Sequence, residues 1–290
     1  AEGKRVVFSG DLGGANTPFI RSLERVDGAD FLVVESTYGN SVHHEAAERK
    51  GILEDIIEET AKRKGTLVIP AFALERTQEM MYELDELVKH GRIPPVPVFV
   101  DSPLAIKLTA VYKKYSTDPR YFSKEAIDLI RSGDAIFDFP GLKLTLTTEQ
   151  SRGIASVGSP KIVIAGSGMS QGGRILHHER NYLPDPKSAI LFVGYQARNS
   201  LGRLILDGEK KVKIFGEEIH VRARVHEITG YSAHADKTQL MDWIEPMKKT
   251  LKKTFLVHGE TEQALPLKQA LLDRYALEGE FPSFGESHEL

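Results

Sequence analysis

Apolar residues fall along this chain in two rhythms, short continuous runs and helical repeats, and the two alternate. Residues 4–8 (Lys-Arg-Val-Val-Phe), 31–35 (Phe-Leu-Val-Val-Glu) and 253–257 (Lys-Thr-Phe-Leu-Val) are short runs that predict strands, each leading into a polar segment. After a turn at 36–40, Ile52, Leu53, Ile56, Ile57 and Thr60 recur at helical spacing, with Gly65 read as the C-cap. Residues 66–72 read as a buried strand entering a loop. Residues 75–89 read as a helix with Met80, Leu84, Leu87 and Val88 inward, closed by Gly91, and 98–100 as another strand. Ser102 caps the next helix with Pro103 in its first turn, a short helix starts at Ser123 and stops at Gly133, and strands follow at 161–165 and 189–193. The alternation predicts a mainly parallel sheet with flanking helices from about residue 40 to 194. Beyond it the character changes, and 211–214 and 218–226 read as strands of a more antiparallel sheet. An inserted domain interrupting a different architecture is the economical reading.

Composition adds boundaries. With 290 residues, 41% hydrophobic and 27% charged, the chain has the profile of a folded α/β protein, without a disorder signature. A net charge of −3 neither supports nor excludes RNA, since a local basic surface can coexist with an acidic remainder. The absence of cysteine rules out disulfides and thiolate metal sites, leaving His, Asp and Glu as ligands. No signal peptide and no long apolar run is evident, so a cytoplasmic chain without a membrane partner fits best.

Four strand ends present Asp11, Glu35, His234 and His258, the residue types of a zinc hydrolase's ligands and proton-transfer groups. Asp11, His258 and the segment of His234 have plainer alternatives. Asp11 is also a good turn carboxylate and His258 a good core histidine, while Ser232 or Asp236 would cap a helix beginning in Ser-Ala-His-Ala-Asp (232–236). A glycine-rich segment, Gly-Ser-Gly-Met-Ser-Gln-Gly-Gly (166–173), is suited to close backbone approach, and Arg76, Arg198 and Arg203 are candidate phosphate clamps. For each arginine a structural salt bridge is as good a reading. His43-His44 and His177-His178 are set aside as metal pairs, because adjacent helical side chains diverge by about 100°.

Taken in order, Phe8-Ser9-Gly10-Asp11, Glu35-Ser36-Thr37-Tyr38-Gly39, Tyr231-Ser232-Ala233-His234-Ala235-Asp236 and Leu256-Val257-His258-Gly259-Glu260 resemble the β-CASP branch of the metallo-β-lactamase superfamily, zinc-dependent nucleases. The resemblance covers nearly the whole chain. It implies an α/β fold: residues 1–40 and 195–290 as parts of a metallo-β-lactamase αββα sandwich, and 41–194 as the inserted β-CASP domain. It implies two zinc ions per active site, with Asp11 bridging them and His258 ligating one. His234 would meet the scissile phosphate or protonate the leaving oxygen. Glu35 would hydrogen-bond its ring, and Asp236 would act as a supporting partner. Ser167, Gly168 and Met169 would contact the RNA backbone. The family's histidine at the position of His258 goes with RNA substrates, and family habit points to homodimers.

The His-x-His-x-Asp-His segment of that family is not found in this sequence, and Ala1-Glu2-Gly3 leads straight into a strand. The expectation is therefore a C-terminal portion of a ribonuclease, endonucleolytic by resemblance, with little hydrolysis of its own. A non-catalytic RNA-binding scaffold and a small-molecule metallohydrolase stay open as alternatives.

Overall fold

A computed structural model of the protein describes residues 3–14 and 17–290, so Ala1 and Glu2 of the opening lie outside the described residues. In chain order the elements begin with β1 (Val6–Phe8), β2 (Phe31–Glu35), α1 (Ala46–Lys62), β3 (Thr66–Pro70), α2 (Arg76–Lys89) and β4 (Val98–Asp101). They continue with α3 (Pro103–Tyr115), α4 (Lys124–Arg131), β5 (Leu142–Leu144), α5 (Thr148–Gly153), β6 (Lys161–Ala165), α6 (Ile175–Tyr182) and β7 (Ala189–Phe192). The remainder holds α7 (Leu201–Leu206), β8 (Lys211–Ile214), β9 (Glu217–His220), β10 (Arg224–Glu227), α8 (Lys237–Ile244), β11 (Lys253–Val257), α9 (Thr261–Tyr275) and β12 (Gly279–Glu280). Packing divides the chain into two compact units. The first is Ala1–Thr17, Ser22–His43 and Ser232–Leu290, the second Pro18–Arg21 and His44–Tyr231.

The first unit is built on a sheet of order β1-β2-β11-β12 whose neighbouring strands are all parallel. β2 lies between β1 and β11, which explains its nearly continuous apolar run: a strand covered on both faces has no side to give to water. Leu32 and Val34 join Leu256 of β11, Leu240 and Ile244 of α8, and Leu267 and Leu271 of α9 in one core.

The second unit carries a six-stranded parallel sheet of order β10-β7-β3-β6-β4-β5. Every residue of β3, β4, β6 and β7 is buried, as expected of central strands with helices on both faces. Phe19, from the short piece Pro18–Arg21, is fully buried and packs on Tyr82, Tyr112, Phe122 and Phe137 at centroid distances of 5.6–6.1 Å. Ser102 caps α3 as its sequence predicts, accepting from the Ala105 amide at 3.3 Å.

Two expectations are corrected by the packing. The run 218–226 is two strands: β9 pairs antiparallel with β8, whereas β10 lies parallel to β7 and extends the six-stranded sheet. The second unit runs to Tyr231 and takes in residues 18–21. Gly65 is not the left-handed residue that ends α1; Lys64 is, with φ +58°. Glycine is required at 65 because a Cβ there would stand 2.0 Å from the Lys187 carbonyl oxygen.

β4 ends on Asp101, a fully buried carboxylate that joins four segments. Its Oδ1 accepts from Thr145 Oγ1 (2.7 Å) and Arg174 Nη1 (2.8 Å), and its Oδ2 from Ser151 Oγ (2.6 Å) and His178 Nε2 (2.7 Å). Burial by itself would raise this carboxyl, but the hydrogen bonds from His178, Ser151 and Thr145 outweigh it and hold it down at about 2.

Two predictions follow from this packing. Gly65→Ala costs about 1–3 kcal/mol by overpacking, whereas Gly51→Ala inside α1, where an added Cβ meets nothing within 4 Å, gains about 0.5–1 kcal/mol of helix propensity. Urea unfolding of the two variants should shift in opposite directions. For Asp101, whose carboxyl is depressed in the fold, the stabilisation is present above the unfolded value of about 4. It is lost as pH falls through about 2. Asp101→Ala strands Arg174 and His178, so it should cost about 3–5 kcal/mol at neutral pH, and it should flatten the acid limb of the stability profile between those values.

Candidate functional site

In the first unit, parallel pairing decides which residues meet. Because β1, β2 and β11 are adjacent and run the same way, their carboxyl ends lie on one edge of the sheet. The register sets Glu35 opposite Val257, so His258 is the next residue beyond the tip, and Asp11 follows three residues after Phe8. His258 sits in the left-handed region at φ +53°, which turns the chain sharply off β11. Gly259 is needed because a Cβ there would stand 2.3 Å from Ser36 Oγ and 2.5 Å from the Ser36 carbonyl oxygen. Ser36 Oγ in turn donates to the Val257 carbonyl at 2.9 Å, so the tips of β2 and β11 are clamped together.

Glu35 is 1% exposed and both its carboxylate oxygens are engaged. Oε1 accepts from the Leu12 amide, and Oε2 faces His234 Nδ1 at 2.7 Å. A carboxylate can only accept here, so Nδ1 carries the proton and Nε2 is the nitrogen left for other partners. Thr37, which sequence reasoning did not single out, lies between the two histidines: its Oγ1 donates to the His258 carbonyl at 2.9 Å and stands 3.4 Å from His234 Nδ1. His43 was also missed, having been weighed only as a metal ligand. Its Nε2 lies 3.0 Å from the His234 carbonyl oxygen, where it donates. Asp236 caps α8 in a capping box, with Oδ1 accepting from the Gln239 amide at 2.8 Å and Oδ2 from the His43 amide at 2.9 Å. This cap fixes where the segment bearing His234 ends.

Asp11 and His258 are exposed, with Oδ1 and Nε2 3.7 Å apart, and the rings of His234 and His258 have centroids 5.5 Å apart. One ligand-capable atom from each of Asp11, His234 and His258 falls within 4.8 Å of the other two. Two atoms bound tetrahedrally to one zinc at about 2.0–2.2 Å lie roughly 3.3 Å apart. The oxygen and nitrogen donors of Asp11 and His258 therefore fit a shared divalent ion with a small side-chain adjustment. Three donors fall short of the roughly four per ion that zinc favours.

The remaining candidates lie in the second unit. The segment 166–173 links β6 to α6 and is fixed internally. The Ser167 amide donates to the Gly172 carbonyl (2.9 Å), Gln196 Nε2 to the Gly168 carbonyl (2.9 Å), and the Gly202 amide to the Met169 carbonyl (3.2 Å). Ser170 donates to Glu179, a buried glutamate that desolvation pushes up to about 8, so this carboxyl is largely neutral at pH 7. Arg198 is exposed in the turn before α7, and Arg203 pairs with Asp207 at 2.8 Å. Arg76 has little surface to offer a phosphate: it is 3% exposed and ion-paired with Glu79, the structural alternative.

Comparison with known proteins agrees with this picture. Residues 77–205 match the Beta-Casp domain family, and residues 218–279 match the Zn-dependent metallo-hydrolase RNA specificity domain. The chain is 38% identical over 289 residues to Ribonuclease TTHA0252 of Thermus thermophilus, covering 98% of this chain and 64% of that protein. It is 34% identical over 275 residues to Transcription termination factor FttA of Thermococcus kodakarensis, covering 91% of this chain and 41% of the relative. With FttA of Methanocaldococcus jannaschii it shares 35% over 242 residues, 81% of this chain and 37% of the relative. The chain thus spans between about two fifths and two thirds of the length of these curated relatives. With its two matched domains, its parallel sheets and these relatives, the chain belongs to the β-CASP family of metallo-β-lactamase-fold proteins.

Proposed function

We propose that this chain carries part of the active centre, and part of the RNA-binding surface, of a zinc-dependent ribonuclease that hydrolyses RNA phosphodiester bonds, endonucleolytically. The observation that carries the proposal is the Glu35–His234 pair at 2.7 Å beside the donors of Asp11 and His258. The names of the relatives, a ribonuclease and termination factors, supply the substrate class. Among the described residues no helix is long and apolar enough to cross a membrane.

In this reading Asp11 and His258 hold zinc, two ions in the whole protein, with the remaining ligands coming from residues other than these. Zinc bound there supplies Lewis-acid stabilisation of charge building on the phosphoryl oxygens. The chain's own residues do the rest. Glu35, buried and accepting at both oxygens, holds the His234 ring with Nδ1 protonated. In the doubly protonated ring, His234 Nε2 has a proton to deliver to the leaving oxygen, or to bond a phosphate oxygen as charge builds there. Thr37 and His43 keep the two histidine backbones in place. In the second unit, the glycine-rich segment with Ser167, Gly168 and Met169 contacts the RNA backbone, joined by Arg198 and Arg203. The zinc content and the cytoplasmic setting belong to the same proposal, as does homodimerisation.

Two measurements test it. In the whole protein, His234→Ala and Glu35→Gln should each slow RNA cleavage by about 10²–10⁴-fold, the range of general acid–base catalysis, while RNA affinity stays within about twofold. Undiminished cleavage by His234→Ala would remove the proton-transfer role. Separately, zinc binding followed by calorimetry should weaken at least about tenfold for Asp11→Ala and for His258→Ala, each loss of a ligand costing more than about 1.4 kcal/mol. Equal zinc affinity in all three proteins would show that these residues are not ligands.

A further inference from the structure

A groove of about 550 Å³ opens in the second unit between the piece Pro18–Arg21, the end of α3 and the segment that precedes α4. Its inner wall is core: Tyr112 and Phe122 pack edge to face at 6.1 Å, and both touch Phe19. Its outer wall is unusual for a surface. Val111 is 49% exposed, Tyr115 40% and Tyr121 51%, and the two tyrosine rings stand edge to face with centroids 5.8 Å apart. Cations sit over these rings, with Lys114 Nζ 5.3 Å from the centroid of Tyr115 and the Arg120 guanidinium 5.4 Å from that of Tyr121. Arg21 lines the opposite side.

The charge around the groove narrows the choice of occupant. α3 carries Lys107, Lys113 and Lys114 and no acidic residue. Residues 107–131 hold six basic and three acidic side chains, in a chain whose net charge is −3. One of those acids, Asp118, is already spent on Arg120, held by both oxygens at 2.6–3.1 Å. Exposed aromatic faces interleaved with cations are the elements that single-stranded nucleic acids require, since every base has a π face and every linkage a negative charge. An apolar protein partner would gain from the tyrosines but would have to bury or pair the lysines.

We propose that this groove is a further RNA contact, a platform on which unpaired bases stack against Tyr115 and Tyr121 while Lys114 and Arg21 meet the phosphates. It rests on the RNA reading given above and adds a surface separate from the glycine-rich segment and from the zinc-type residues. None of its residues belongs to the proposed proton-transfer or metal machinery, so its loss should weaken binding and spare the chemistry.

The test is fluorescence anisotropy of this chain with labelled single-stranded oligoadenylate and with an abasic ribose-phosphate oligomer of equal length. Tyr115→Ala and Tyr121→Ala should each weaken oligoadenylate binding about tenfold, the loss of one base stack, and leave the abasic oligomer unchanged. Tyr115→Phe and Tyr121→Phe keep the π face and should bind like the parent chain, which separates stacking from damage to the fold. Lys114→Gln should lower the salt dependence, log affinity against log salt, by about 0.7. If the parent chain binds oligoadenylate and both alanine variants bind it equally well, the platform is wrong while the RNA reading stands. If the alanine variants lose only self-association, the groove is a contact between copies and the platform is again wrong. If the parent chain binds neither oligomer, the RNA reading itself falls, and this proposal with it.

Discussion

The candidate centre depends on one buried carboxylate. Glu35 ends an inner strand of a parallel sheet, where water does not reach it, and a polar group in such a place is costly unless each oxygen has a donor. The Leu12 amide answers one oxygen and His234 the other. Because Leu12 immediately follows Asp11, the bond that satisfies Glu35 also places the loop carrying Asp11. Because His234 is the other donor, the same residue fixes a tautomer two hundred positions away in sequence. Removing the carboxylate would therefore release two site residues at once, one through the backbone and one through its ring.

Much of this was legible in the order of residues. The strands ending at Phe8, Glu35 and Val257 are short apolar runs, and the point where each run stops is where its strand ends. Ser102 and Gly91 announced helix limits that the structure has. What stayed illegible depended on partners remote in sequence. Nothing in the spacing of Thr37 says that its hydroxyl will lie between two histidine segments, and nothing in 218–226 says that half of it will pair with β7. Gly65 reads in the sequence as a local device, a cap, and nothing beside Gly259 names its neighbour. Both answer instead to a backbone passing within van der Waals distance, Lys187 in one case and Ser36 in the other. Arg76 had the residue type of a phosphate clamp, but burial against Glu79 decides its use, and burial is a tertiary property.

The second unit handles buried charge in two opposite ways. Asp101 remains ionised because four donors converge on it, and it thereby ties β4 to α5 and α6. Glu179, with a serine as its one hydroxyl donor, is held neutral by desolvation. Both stand next to the glycine-rich segment, the ionised group through Arg174 at its end and the neutral one through Ser170 within it. The segment is thus held without an uncompensated negative charge pressed against it, a condition that any anion-binding role would require.

The parallel register of β1, β2 and β11 has a consequence for how this protein can change. Neighbouring strands are spaced at about 4.8 Å and side chains alternate faces every residue. The positions open to the site residues are therefore stepped, not continuous. A single insertion within Phe31–Glu35 or Lys253–Val257 would turn Glu35 or the approach to His258 to the opposite face. The connection between β1 and β2 can lengthen with no effect on that stepping. Change is therefore left free in the loops and confined to substitution within the strands, where length itself sets which side chains reach the site.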